Sequence, residues 1–452
     1  MLKKWNGYIL AIIVMFGSLS LQPVKSINAA EAKGIVFKDT SKHWAKTQIE
    51  LAVQKGYVNG FPDGTFKPDA EVTRAQFIKM IVKALGLEHE AEGSVWYTTY
   101  VKAAKAAGIY QGEVDFAEWN VNAKISREHM AWLAVRGADD SLVTVESAGI
   151  TKTVQTNRWP LTTTNNEVTR TDAFMRDYYE DFLVHTAFKR GVLNGFGGKE
   201  VGIERTTTRA QSVTVIERIL SLKQGKKLPS DKYATSEAEL LWLKTNAFSV
   251  APHIFNDPKG SSMLKNYKLE NLVFQNSIIH SEVKRIILID LDDPKDPYRK
   301  LLPETKKLGF RYVKNIGKLP SDAYAMYIEY ETHYNKNPDQ YPGVVDVTTQ
   351  SYKEPNPYPI DKLVDPSEIM TKEKGFEHIN AYVPSDQKSK TGEGVVVWAI
   401  PNSGYSLYEN TGENRKKLDR LLSLSFYVNP SYGENANISN SIFFGTTTHY
   451  GK

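Results

Sequence analysis

Apolar positions in the first half of the chain recur with helical spacing. Phe77, Met80, Ile81, Ala84 and Leu85 follow Thr73 at i, i+3, i+4, i+7 and i+8, which predicts an amphipathic helix opening at that threonine. Val215, Ile216, Ile219 and Leu220 repeat the stripe after Thr208. Ahead of the first stripe, Trp44, Ile49, Ala52 and Val53 lie near one helical face, and Gly56 follows as a C-terminal stop. Gly60 and Pro62-Asp63-Gly64 supply turn residues between the two helices. Beyond residue 231 the pattern changes. Apolar and alternating runs at 286–291, 325–334, 343–349, 395–400 and 441–444 predict strands. Ser236 and Glu239 have capping-box spacing and predict a short helix starting there, and a further helix is expected over 413–424.

The helix–loop–helix pattern occurs three times. The first copy carries Trp44, Ile49, Ala52, Gly56, Gly60, Phe66, Thr73 and Arg74. The second carries Trp96, Val101, Ala104, Gly108, Gly112, Trp119, Ser126 and Arg127. The third carries Tyr179, Val184, Ala187, Gly191, Gly195, Val201, Thr208 and Arg209. From first glycine to arginine is 18 residues in copies one and three and 19 in copy two. A unit of this size cannot bury its apolar face alone, whereas three packed together can.

The arginine of the motif is the informative residue. Thr73 with Gln76, and Thr208 with Gln211, have the spacing of capping boxes, which accounts for Thr and Gln without a ligand. It leaves Arg unexplained, because a cation in the first helical turn opposes the macrodipole. Arg74, Arg127 and Arg209 all take that position. The repetition points to a guanidinium held beside a helix N-terminus, where an acidic ligand group can also be bound. Side chains at such helix starts are expected to be exposed, so folding should tolerate their loss.

Copy one, with Phe37, Asp39, Trp44, Gly56, Gly60, Asp63, Gly64, Phe66, Pro68, Thr73, Arg74, Ala75 and Gln76, resembles the S-layer homology (SLH) family. The resemblance extends over 36–222. It implies an all-α pseudo-threefold helical bundle, and the strand-like runs beyond residue 231 add a β-rich mixed α+β domain, which makes the chain multidomain. The implied repeats span 36–88, 92–139 and 171–222, with an insertion at 140–170, a polar linker at 223–231 and an unrecognised region at 232–452. The implied role is to bind an acidic cell-wall polysaccharide, a pyruvylated secondary polymer, in grooves between repeats. By carry-over, Arg74, Arg127 and Arg209 are anion contacts, and Thr73, Ser126, Thr208, Gly60, Gly112 and Gly195 are counted with them as polysaccharide-binding residues. Trp44, Trp96 and Tyr179 are candidate groove walls. Self-association in a surface layer is left open. The family's acidic residue closing the motif is Gln76, His129 and Gln211 here, and copy two lacks Asp-Gly-x-Phe. Groove one or three is therefore expected to dominate. Val168-Thr169-Arg170-Thr171-Asp172 imitates the motif but has no glycine 18 residues ahead, and reads as a helix start.

Residues 1–30 read as a secretory signal peptide: Lys3 and Lys4, an apolar run from Tyr8 to Leu21, then Ala29, Ala30 and Ala32. The run is shorter than a bilayer span, and no later segment is apolar enough to cross a membrane. Export to the cell surface follows. Removing Lys3, Lys4 and Lys25 lowers the formal charge from +5 to +2 (5 − 3), so nucleic acid is not an expected partner. The absence of cysteine excludes disulfides, thiol catalysis and Cys-ligated zinc.

Catalytic signals beyond residue 231 are weak. Asp290, Asp292 and Asp293 end an apolar run and read as a solvated turn more readily than as a cation site. Glu329 and Glu331 share a strand face, as a glycosidase pair would but also as the polar side of any half-exposed strand does. No catalytic residue, metal or cofactor is expected. Three functions stay open: a non-enzymatic surface protein with a structural or adhesive domain, an SLH-anchored hydrolase acting on polysaccharide with its activity in 232–452, or a binding module that displays a partner; the absence of catalytic motifs favours the first.

Overall fold

The motif residues Thr73, Ser126 and Thr208 each begin a helix, as their spacing predicts. A computed structural model describes residues 36–139, 180–197, 200–255, 272–304, 323–339, 346–352, 379–386, 391–401, 408–410, 415–417, 422–429 and 442–448. The expected leader 1–30, the insertion 140–170, the imitation motif around Arg170 and Tyr179 lie outside these residues. The chain divides into a helical N-terminal region and a C-terminal region of antiparallel sheets.

In the helical region α1 (Lys46–Gln54) and α2 (Arg74–Ala84) come from the first copy. From the second come α3 (Thr98–Ala106) and α4 (Arg127–Ala138), and from the third come helical residues 180–189 (α5) and α6 (Arg209–Lys223). One apolar core runs through all three, joining Ile49, Phe77 and Ile81 to Val101, Met130 and Leu133 and to Leu183, Val213 and Ile216. Just ahead of the motif helices three backbone hydrogen bonds close a ring. Val72 N–H donates to Thr207 (2.9 Å), Thr207 to Ile125 (3.1 Å) and Ile125 to Val72 (2.9 Å). Within the core Arg136 forms a fully buried bidentate pair with Asp115.

The first helix after the polar segment, α7 (Lys232–Leu243), starts earlier than its capping-box spacing predicts. Asp231 is the cap, accepting from Tyr233 and Ala234 N–H. Ser236 and Glu239 lie inside the helix and point inward, where Ser236 accepts from Asn246 and Glu239 from Phe248 N–H. Ala234 and Ala238 of α7 belong to the helical core, while Leu240 packs with Ile287, Ile289 and Tyr327 of the sheet. Asn246 then clasps both polar groups of Leu288, and Lys244 C=O accepts from Ile286.

The main sheet has the order β1-β2-β3-β6-β5, all neighbours antiparallel. Its strands are β1 (Val273–Gln275), β2 (Ile279–Asp290), β3 (Ala323–Asn335), β5 (Ile379–Asp386) and β6 (Thr391–Pro401). A second sheet has the order β10-β9-β4, from β4 (Asp346–Tyr352), β9 (Leu422–Asn429) and β10 (Ile442–Thr448). A small hairpin pairs β7 (Tyr408–Asn410) with β8 (Arg415–Lys417). The expected helix over 413–424 is thus replaced by β8 and the start of β9. The apolar residues Leu422, Leu424, Phe426 and Val428 alternate with period two, and β9 gains hydrogen-bonded neighbours on both edges. Those non-local pairings outweigh the local helical preference of the charged run before it.

Candidate functional site

The geometry at the motif is set by its cap. Thr73 and Thr208 accept from Gln76 and Gln211 N–H, and both glutamines return a bond to the cap residue's N–H. Ser126 accepts from His129 N–H in the same manner. The next N–H groups are also engaged. Arg74 and Ala75 donate to Ala123 and Val121, Arg127 and Glu128 to Arg205 and Ile203, and Arg209 and Ala210 to Ala70 and Pro68. Each motif helix thus buries its first N–H donors in the loop of another copy. The expectation that these helix N-termini hold a ligand anion is corrected: their first three amides are satisfied by protein, and only side chains remain to do so.

The arginine side chains follow the same route. Arg209 donates from Nε to Phe66 C=O (3.0 Å) and from Nη2 to Asn59 C=O (2.9 Å). Arg127 donates from Nε to Val201 C=O (3.0 Å) and from Nη2 to Asn194 C=O (2.7 Å). Arg74 is held less firmly. Its Nη1 reaches Asn120 C=O at 3.3 Å, its Nη2 lies 3.5 Å from His129 Nδ1, and its Nε is buried without a partner. Each guanidinium lies against a ring: Arg74 over Phe116 (4.6 Å), Arg127 over Phe196 (4.4 Å), Arg209 over Phe66 (4.5 Å) and Phe61 (5.0 Å).

Burial separates the three. Arg127 is 5 % exposed, and burial, then Arg218 and Arg205, lower its pKa to about 10. Arg74 and Arg209 are half-buried, with burial again depressing the guanidinium. All three stay charged at neutral pH. The expectation of exposed arginines therefore fails at Arg127, because the loop and rings of the third copy close over it.

The expected groove walls are placed differently. Trp44 is 63 % exposed beside His43, and Trp96 is half-buried with Lys79 above its ring. Neither is among the rings lying against the arginines in the described residues. Gly60 and Gly195 serve close packing: a Cβ would sit 2.1 Å from the Phe37 ring at Gly60 and 2.9 Å from Ala234 at Gly195. Gly112 adopts φ +68°, which its turn requires. A residue with a stronger claim is Trp119. The repeat aligns it with Phe66 and Val201, both buried, yet Trp119 is 84 % exposed and Phe116 fills the core beneath Arg74 instead. It immediately precedes Asn120, the partner of Arg74. The sequence signal was a large aromatic between Glu118 and Asn120, a polar setting for a core residue.

The candidate carboxylates of the second half, Asp290, Asp293, Glu329 and Glu331, have partners within the protein. Asp293 accepts from Lys232 and Tyr233, which hold its carboxyl down near 2 against its own desolvation. Asp290 accepts from Asp292 N–H. Glu329 forms a bidentate pair with Arg285, and Glu331 pairs with Lys284. Among the described residues no three His, Cys, Asp or Glu side chains are grouped to hold a metal ion.

Residues 36–78 match the model of the S-layer homology domain. The chain carries an SLH domain. Over 196 residues it is 29 % identical to exoglucanase XynX of Acetivibrio thermocellus, a match covering 42 % of this chain and 16 % of that protein. Over 157 residues it is 31 % identical to the S-layer protein sap of Bacillus anthracis, covering 32 % of this chain and 19 % of the relative. A 48-residue match at 46 % identity joins it to a cellulosome-anchoring protein of Acetivibrio thermocellus, covering 11 % of each. The chain thus spans well under a quarter of each of these relatives. The SLH match and the S-layer relatives place the protein at the cell surface or in the cell wall. No helix among the described residues is long and apolar enough to cross a membrane.

Proposed function

We propose that residues 36–223 form a pseudo-threefold SLH bundle that fastens the protein non-covalently to an acidic cell-wall polysaccharide, a pyruvylated secondary polymer, and that 232–452 is the domain so displayed. The observation carrying this reading is the state of Arg74. It is a half-buried cation on an aromatic ring, with only weak internal bonds and an exposed Trp119 one residue from its partner. A desolvated guanidinium with unused donors suits a sugar-borne carboxylate, and a flat exposed indole suits the apolar face of a sugar ring. Arg127, closed over by protein, is not a contact in this scheme, and Arg209 is a secondary one.

Sedimentation of the full chain with purified cell walls bearing pyruvylated polymer tests it. Arg74→Ala should weaken binding by about 10- to 150-fold, the loss of one charge-assisted contact, with little change in melting temperature. Chemical removal of pyruvate should weaken the wild type comparably and add little to the variant. Equal binding by Arg74→Ala and wild type would sink the assignment.

The glycosidase names among the relatives favour a second reading, in which 232–452 is a polysaccharide hydrolase. Release of reducing ends from xylan or cell-wall polymer, abolished by Glu329→Gln or Glu331→Gln, would establish it. The ion pairs of both glutamates favour the non-enzymatic reading.

A further inference from the structure

The surroundings of Arg74 differ from those of Arg127 and Arg209 at one position. Copies one and three place Gln76 and Gln211 where they bond back to the cap N–H, and copy two places His129 there. His129 Nδ1 lies 2.7 Å from Ser126 Oγ and 3.5 Å from Arg74 Nη2. A guanidinium only donates, so Nδ1 is an acceptor and the neutral ring carries its proton on Nε2. The ring also bonds to the Asp115 backbone and stands edge-on to Phe116 and Trp132. The charged groups facing it are Arg74 and Asp115, and Asp115 is itself locked to Arg136. Burial, then Arg74, holds the imidazole down at about 4. At neutral pH it is therefore an uncharged acceptor engaging a donor of the cation that is to meet the ligand.

We propose that His129 is a proton-controlled member of this anion site: protonation turns Nδ1 from acceptor to donor, releases Arg74 Nη2, and gathers Arg74, His129 and Ser126 around one acidic group of the polysaccharide. The inference rests on reading the Arg74 site as the polymer site. Two cations side by side repel, and a carboxylate between them offsets that repulsion, so binding the anion takes up a proton. Ser126, no longer donating to Nδ1, can turn its hydroxyl to the ligand. The sign follows from linkage: the protonated form binds more tightly, so affinity rises as pH falls. A sugar-borne carboxylate stays largely ionised through this range. If the bound anion returns the imidazole to its ordinary value, binding is about tenfold tighter at about pH 5.5 than at about pH 8.

The experiment compares full-length wild type, His129→Gln and Arg74→Ala in sedimentation with cell walls bearing pyruvylated polymer at those two pH values. His129→Gln installs the residue that copies one and three already carry, so its helix cap is preserved. The wild type should tighten by about tenfold on acidification, and His129→Gln should stay within about twofold. An unchanged wild type, or a glutamine variant that tightens as much, overturns the proposal. If Arg74→Ala is weak while the wild type is insensitive to pH, the Arg74 site binds the polymer and only the role of His129 falls. If Arg74→Ala binds like wild type at both pH values, Arg74 is not at the polymer site and both readings fall.

Discussion

Arg127 shows how one motif residue can serve two ends. Its counterparts Arg74 and Arg209 keep part of their surface in solvent, but Arg127 holds the carbonyls of Asn194 and Val201 from a buried position. Removing it leaves the buried Val201 carbonyl unpaired, at about 1–3 kcal/mol, while the carbonyl of exposed Asn194 can turn to water. Arg127→Ala should therefore lower stability by about 2 kcal/mol and the melting temperature by several degrees, whereas Arg74→Ala should cost under about 1 kcal/mol. Circular dichroism melts of the two variants check the contrast. A second residue-scale expectation concerns Glu239, buried against Ser249, Phe248 N–H and His185. Burial pushes its carboxyl up to about 8 from 4.5, and burial holds His185 down at about 3 from 6.5. The raised Glu239 contributes stability that is complete below about 4.5 and is lost as pH rises through about 8. The depressed His185 acts only below about 6.5. Between about pH 6.5 and 8, then, the wild type should lose stability that Glu239→Gln retains, as thermal melts at the two ends of that window would reveal.

Among the elements, α7 depends on a residue that also ties it to the third copy. Asp231 caps the helix with one oxygen and accepts from Gly195 N–H with the other (3.0 Å). Asp231→Ala removes a cap worth about 1 kcal/mol and strands a second donor. A loss of about 2 kcal/mol is expected, larger than for a simple cap deletion such as Thr73→Ala. What the sequence disclosed of the fold divides along the same line. The motif helices were legible because cap, period and apolar stripe all lie within a dozen residues of Thr73 or Thr208. The long strands were legible from the apolar and alternating runs that became β2 and β3. The start of α7 was misplaced because Asp231 and Ser236 both offer cap chemistry, and only the inward pull of Phe248 and Asn246 decides between them. At the candidate site the arginines stood out by repetition. Their burial did not, because it depends on carbonyls 46 to 150 residues away.

For the molecule as a whole, the two halves share a helix instead of meeting at a free tether. A helical fragment ending near residue 225 should be less stable than one ending near 244, since only the longer keeps Ala234 and Ala238 in the core. Both should sediment with cell walls, and residues 245–452 alone should not. Comparable sedimentation by that last piece would place the anchor elsewhere. The shared helix also decides how the protein behaves under load. A surface protein is dragged by flow and by whatever its outer domain grips. Here the pull crosses from sheet to anchor through α7, whose two flanks are embedded in different bodies of apolar side chains. Such a joint parts only when the helix is pulled out of one of those bodies, so that many contacts must give way together. An extended tether would straighten residue by residue under the same force. The protein is riveted to its anchor and not leashed to it.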